Sequence, residues 1–386
     1  MTLSKFTLKL DALRQQGLYR THKVMETPQD VRLAIEGRII LNFCSNDYLG
    51  LANDEIVKTA FKAAIDQYGV GSGSAHLICG HNAAHDALEE ALAAFTGRER
   101  ALLFSTGYMA NLGVIAALLG PGDCIFEDKL NHASLLDGGL ASGATFKRYL
   151  HKDVQQLERI ITEASGWRLI ATDGVFSMDG DTAPLLELVS LAKRTNSCLM
   201  VDDAHGIGVL GQTGGGLLEQ LQLTQTDVPI LMGTFGKAFG TFGAFVAGSD
   251  TLIETLIQFA RTYIYTTALP PAIAQATLTS LRILNEQTWR REKLEHLVCF
   301  LKKGAFDLGL PLMPSDTPIQ PLFVGDSIKA VALSHQLWTA GFWVSAIRPP
   351  TVPKGKARLR ITLSASHSEE DISRLLQTLD LLRDNF

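Results

Sequence analysis

Lys237 stands between Gly236 and Ala238 in GTFGKAFG, just past the apolar run PILMGTF and in a stretch poor in other charge. A lysine isolated in an apolar, glycine-rich turn is a candidate for a lowered pKa and for Schiff-base chemistry through its neutral amine. Asp202 and His205 close the run CLMVDDAH, where a chain passing from strand to turn can aim both side chains inward. His132, in Asn131-His132-Ala133-Ser134, follows the run DCIFED by a few residues and can lay an imidazole over a flat ligand. Ser105, Thr106 and Gly107 head the apolar helical stretch GYMANLGVIAALLG, where unpaired amides and the helix dipole make an anion site. Each signal alone has a plain structural reading: an ordinary helix cap, a loop histidine, a solvated acidic turn. In this order along one chain they are the parts of a pyridoxal phosphate site.

Competing motifs read less well. Gly206, Gly208 and Gly211 satisfy G-x-G-x-x-G, but GQTGGG rather than a helix follows them, so a turn-rich loop is expected instead of a dinucleotide fingerprint. Lys237 is followed by Ala238, which leaves no hydroxyl for magnesium in a Walker loop. His76, His81 and His85 cluster, and the last two have the i, i+4 spacing of a zinc helix. Position 82 is Asn, however, so a metalloprotease site is not expected, the histidines read as surface or helix-start residues, and no metal is assigned.

These residues must be held by an α/β scaffold. Strand-length apolar runs (RALLFS, DCIFED, RLIATDG, CLMVDDAH, PILMGTF, FGAFVAG) alternate with helical patterns between about residues 50 and 250, as in a mainly parallel sheet covered on both faces. Ligands in such sheets collect outside the carboxyl ends of the strands, where the polar endings fall. After Pro270-Pro271 a long helical stretch runs through TLTSLRILNEQTWRREKLEHLVCFLKKGA. IQPLFVG, FWVSAI and ARLRITLSA then read as strands, and SEEDISRLLQTLDLLRDNF as a last helix, which suggests a smaller α+β domain. The 386 residues are 46% hydrophobic and 19% charged, a balance that excludes disorder. A net charge of -5 lacks the basic excess that nucleic acid demands. No apolar run approaches the roughly 20 residues of a membrane span. The opening stretch reads as a short amphipathic helix rather than a secretion signal. Cys44, Cys79, Cys124, Cys198 and Cys299 are scattered and form no C-x-x-C pair, which fits reduced thiols and a cytoplasmic setting.

The stretches NDYLGL, GSGSAHLICG, FSTGYMAN, NHASLLDG, FSMDGD, VDDAHGIGVLG, TFGKAFG and RLRITLSASH cover nearly the whole chain. Together they resemble the α-oxoamine synthases, a family of fold type I pyridoxal phosphate enzymes. FSMDGDTAPL, IRPPTVPKGKARLR and IQPLFVGD look most like the biotin-synthesis branch of that family. The resemblance implies a fold type I transferase with an amino-terminal arm (1–46), a large cofactor-binding domain (47–275) and a small carboxy-terminal domain (276–386), paired as a homodimer. It implies decarboxylative condensation of L-alanine with a pimeloyl thioester of coenzyme A or a carrier protein. On that reading Lys237 bonds the cofactor and moves the alanine Cα proton, Asp202 faces the pyridine nitrogen, His205 the ring hydroxyl, and His132 stacks on the ring. Gly107, Tyr108, Ser177 and Thr234 would bind the phosphate or nearby ring atoms, with Thr267 reaching the phosphate across the dimer. Arg360 would pair with the alanine carboxylate, Arg20 and Thr351 would contact the acyl substrate, and Arg348 joins Arg20 as a basic partner for the pimeloyl carboxylate. Ala75-His76 stands where many relatives carry other small or basic residues. Rival readings are an α-oxoamine synthase of the glycine C-acetyltransferase type, a pyridoxal phosphate aminotransferase, a nicotinamide dehydrogenase and a catalytically dead binding protein.

Overall fold

The computed structural model describes residues 3–16 and 18–383; the last three residues read into the final helix lie outside them, as do Met1, Thr2 and Gly17. A hairpin of β1 (Arg32–Ile35) and β2 (Arg38–Asn42) precedes the strands of the main sheet. These are β3 (Arg100–Phe104), β4 (Cys124–Asp128), β5 (Thr145–Tyr149), β6 (Arg168–Asp173), β7 (Cys198–Asp202), β8 (Ile230–Thr234) and β9 (Ala244–Gly248). Their order in the sheet is β3-β9-β8-β7-β6-β4-β5, and only β9 runs antiparallel to its neighbours.

The continuous apolar runs have a direct cause. Ile125, Leu169 and Met200 enter one core, with helices Gly107–Leu118, Ala133–Ala141 and Asp250–Phe259. Phe126, Ile170 and Val201, the next residues on the same strands, enter the other, with helices Ala83–Thr96, Leu185–Arg194 and Pro271–Glu286. Successive side chains point to opposite faces, so a sheet covered on both sides has no polar face to alternate with. The parallel strands β4, β6, β7 and β8 end in Asp128, Asp173, Asp202 and Thr234. Asp173 and Asp202 are register partners, which sets two carboxylates side by side at this edge.

The carboxy-terminal part forms an antiparallel sheet of β10 (Ile319–Gly325), β13 (Ala357–Thr362) and β12 (Ser345–Ile347), in the order β10-β13-β12. Two readings of the sequence are corrected here. FWVSAI is two strands in two sheets, since β11 (Phe342–Trp343) pairs in parallel with β2, and β12 pairs with β13. The long helical stretch breaks at Gln287 and Thr288 into helices Pro271–Glu286 and Trp289–Asp307. Arginines secure the corner: Arg291 Nη1 donates to the Leu284 carbonyl at 2.7 Å, and Arg290 reaches the Leu49 carbonyl and the Asp54 carboxylate. No helix among the described residues is long and apolar enough to cross a membrane.

Candidate active site

Lys237 lies three residues beyond β8. Its turn is closed by Gly240 N–H to the Lys237 carbonyl and Thr241 N–H to the Phe235 carbonyl, both 2.9 Å. Gly240 has φ +66° and sits so close to Ala52 that a Cβ would fall 2.3 Å from its amide nitrogen, so the second glycine of GKAFG is obligatory. Burial, aided by the Arg360 charge and opposed by Asp202, Asp173 and Asp203, lowers the Lys237 amine to about 8. The ammonium still predominates at pH 7, but the neutral amine that proton transfer requires is far more accessible than on an ordinary lysine.

Asp202 is buried at the end of β7, where its carboxylate accepts from Asn111 Nδ2 at 2.7 Å and from Ala204 N–H at 3.0 Å. The same Asn111 nitrogen donates to Ser134 Oγ at 2.9 Å, and Ser134 Oγ lies 2.7 Å from His132 Nδ1. Ser134 accepts from Asn111, so its own proton goes to His132 Nδ1, and the imidazole proton is assigned to Nε2. The His132 amide donates to Asp173 Oδ2 at 2.7 Å and anchors the loop to β6. Burial, with the Lys237 charge and against Asp202, lowers the His132 pKa and keeps the ring neutral. Asp173 goes the other way: burial first and the Asp202 charge second raise its carboxyl well above the ordinary range.

On the other side, His205 Nδ1 meets Tyr48 Oη at 2.5 Å. Burial, then the Lys237 and Arg360 charges, hold this imidazole well below its ordinary pKa. Arg360, on β13 and 7% exposed, is fixed by the Ser177 carbonyl at 2.6 Å, Thr362 Oγ1 at 2.8 Å and Asn46 Oδ1 at 3.1 Å. Its neighbour Arg358 pairs with Asp179. Ser177 thus serves Arg360 through its main chain.

At the third corner Thr106 caps helix Gly107–Leu118, accepting from Met109 N–H at 3.1 Å. Gly107 packs beside Met232 and Thr234, and Thr234 Oγ1 donates to the Gly243 carbonyl at 2.9 Å. Tyr108 donates to Asp137 and presents its ring edge-on to His132 at 6.4 Å between centroids. Ser105 Oγ reaches the carbonyl of the exposed Thr267 at 3.4 Å. Arg20 and Thr351 are exposed and Arg348 is half-buried, with the Thr351 amide bonded to the Arg348 carbonyl at 3.1 Å. The structure therefore gathers Lys237, Asp202, His132, His205 and Arg360 within mutual electrostatic reach, and leaves Arg20, Thr267 and Thr351 on the surface.

The glycines from 206 onward have a different task from dinucleotide binding. Gly206 and Gly216 wrap the buried Asp203, whose Oδ2 accepts from Leu217 N–H at 2.7 Å, while Gly208 packs on Ala238 and Leu284 and Gly211 on Glu219. A Cβ at Gly206 or Gly216 would fall 2.1 or 2.0 Å from its carboxylate oxygens. Burial and the Asp202 charge push the Asp203 carboxyl up to about 8. Sequence reasoning missed Tyr48, Asn46, Asn111, Ser134 and Asp173. NDYLGL carries the first two and NHASLLDG the serine, but nothing in NDYLGL announces contacts 157 and 314 positions away, and nothing in NHASLLDG announces the bond from Asn111 23 positions before the serine. His76 and His85, read as surface or helix-start residues, are buried; His85 is the third residue of helix Ala83–Thr96, and its Nδ1 completes a capping box.

A family model described as aminotransferase class I and II matches residues 38–379. The solved serine palmitoyltransferase of Sphingomonas wittichii superposes with a TM-score of 0.94 at 34% identity, over 100% of this chain and 99% of that one. The fold is that of a fold type I pyridoxal phosphate-dependent transferase. The 8-amino-7-oxononanoate synthase of Nitrosococcus oceani is 59% identical over 373 residues, 96% of this chain and 99% of that protein. That of Methylococcus capsulatus is 59% identical over 371 residues, 96% of each chain. A solved 8-amino-7-oxononanoate synthase from Francisella tularensis has a TM-score of 0.79 at 33% identity, over 89% of this chain and 98% of that one. The chain belongs to the 8-amino-7-oxononanoate synthase family.

Proposed function

We propose that this protein condenses L-alanine with a pimeloyl thioester: the alanine Cα–H bond breaks, Cα bonds the acyl carbonyl carbon as the C–S bond breaks and the thiolate takes up a proton, and the alanine carboxylate leaves as carbon dioxide while Cα takes up a proton in its place. The observation that carries the reading is 59% identity to 8-amino-7-oxononanoate synthases along nearly the full length of both chains. Pyridoxal phosphate fits the residues present. Asp202 is a buried carboxylate with amide donors on its oxygens and no ion pair among the described residues, so it lacks the cation that a protonated ring nitrogen supplies. When bound, the cofactor contributes an aldehyde for attachment to Lys237 and a ring that accepts electrons.

The remaining chemistry belongs to the chain. Lys237 takes the alanine Cα proton through its neutral amine. Asp202, held rigidly by Asn111 and Ala204, favours positive charge at its face. His132 offers a neutral ring fixed by Ser134, and His205 keeps Nε2 available because Tyr48 holds Nδ1. Gly107, Tyr108, Ser177, Thr234 and Thr267 are assigned to the cofactor. Arg360 is assigned to the alanine carboxylate, and Arg20, Arg348 and Thr351 to the acyl donor, on coenzyme A or a carrier protein. The working form is a cytoplasmic homodimer.

An apolar pocket distinguishes alanine from glycine by only about 1 to 3 kcal/mol. The pimeloyl carboxylate, costly to bury unpaired, should discriminate more. Thiol release with L-alanine should be much faster from pimeloyl than from acetyl, succinyl or palmitoyl thioesters. A side-by-side assay in which glycine with acetyl-CoA, or serine with palmitoyl-CoA, proves the better pair would overturn the substrate assignment while leaving the cofactor site intact.

A further inference from the structure

His76, His81 and His85 lie outside the site just described, yet their rings form a nearly equilateral triangle. The centroids are 5.0 Å apart for His76 and His81, 5.0 Å for His76 and His85, and 5.2 Å for His81 and His85. One ligating atom from each lies within 4.8 Å of the other two. A tetrahedral ion about 2.1 Å from each nitrogen stands roughly 3.2 Å from each ring centre and spaces the centres by about 5.2 Å, the triangle seen here.

The outer nitrogens reinforce this. Metal-bound imidazoles usually donate their other N–H to a carboxylate or a main-chain carbonyl. His81 Nε2 meets Asp86 Oδ1 at 2.9 Å, and His85 Nε2 meets the Leu269 carbonyl at 2.6 Å. Both rings therefore carry their lone pair on Nδ1. His81 Nδ1 faces His76 Nδ1 at only 2.7 Å, and the His85 Nδ1 lone pair accepts from the Asn82 amide at 3.1 Å, a cap bond that a bound ion replaces. The His76 ring is itself fixed, stacked on Tyr263 at 4.9 Å and 11°.

We propose that His76, His81 and His85 form a three-imidazole site for a borderline divalent cation of the zinc class, with Asp86 and the Leu269 carbonyl orienting the ligands. Without metal, a proton on His76 Nδ1 bridges to His81 and fills the same gap. The ion ties the turn His76–Gly80 to helix Ala83–Thr96 and to Leu269, two residues from Thr267, and so acts as a clip on the framework.

The test uses cofactor-loaded protein stripped with a chelator, dialysed against zinc chloride and analysed for metal per chain, with thermal melts in parallel. One zinc per chain and a raised Tm are expected. His81→Ala, at a half-exposed position that should leave folding intact, should weaken zinc binding by at least about tenfold and abolish the Tm rise. Cys79→Ser should change neither. Wild type that binds no more zinc than His81→Ala would overturn the proposal. So would zinc that is lost with Cys79→Ser but retained by His81→Ala.

Discussion

Arg360→Ala tests how the site takes hold of an amino-acid carboxylate. The guanidinium is pinned from three directions, by Ser177, Thr362 and Asn46, and is almost wholly buried. It meets a substrate as a pre-positioned charge with little rotamer freedom left to lose. A charge-assisted hydrogen bond to carboxylate contributes about 1.5 to 3 kcal/mol, so at about 1.4 kcal/mol per decade alanine should bind roughly 10- to 150-fold more weakly. The truncation also strands three oxygen acceptors, so some stability will be lost with it. Arg360→Lys separates the effects, because it keeps the charge but not the fork, and it should fall between wild type and the alanine variant. The assay is titration of L-alanine into cofactor-loaded protein, followed by the visible absorbance change, with circular dichroism to confirm folding. A folded Arg360→Ala protein with wild-type alanine affinity would refute the assignment and make Arg360 a structural link between β13 and the Ser177 loop.

Asp202→Asn should retain the cofactor but lose the bias toward a protonated ring nitrogen. Exchange of the alanine Cα hydrogen with deuterated solvent should slow by about 10²- to 10³-fold, and near-normal exchange would assign that bias to another group. His151 gives a pH signature away from the chemistry. Burial opposes its charge, but hydrogen bonds to Asp128 and Asp181 outweigh burial and raise its pKa from 6.5 to about 9. A raised pKa stabilises the fold fully below about pH 6.5, and that contribution is lost as pH rises through about 9. His151→Gln should therefore lower Tm at pH 6 and flatten its fall between pH 6.5 and 9; an unchanged slope would show that this ion pair does not couple to folding.

The doubly covered strands were legible because burial on both faces leaves unbroken apolar runs, and RALLF, CIFED, RLIATD, CLMVD and AFVAG appear as strands where the sequence suggests. The edge strand TFKRY was not, since only Tyr149 is fully buried and the rest of it is polar or half-exposed. Nor was the hairpin of β1 and β2, whose partner β11 lies three hundred residues downstream. The chemistry-bearing residues stood out because polar groups ending apolar strands are conspicuous. Their supports did not: Asn111 sits one turn inside an apolar helix, and only folding shows that its amide ties Asp202 to Ser134 and thence to His132. The G-x-G-x-x-G match shows the converse, because its glycines answer to packing within the fold: Gly206 to the buried Asp203, Gly208 to Ala238 and Leu284, and Gly211 to Glu219.

Attachment of the cofactor to Lys237 is tested directly by its colour and its chemistry. Purified cofactor-loaded protein should be yellow, and borohydride should bleach the colour and fix the label to one peptide. Mapping should place that label on Lys237, and Lys237→Ala should show no covalent label even where cofactor still binds through its phosphate and ring contacts. A label on Lys129 or any other lysine, or a labelled Lys237→Ala protein, would contradict the site described here.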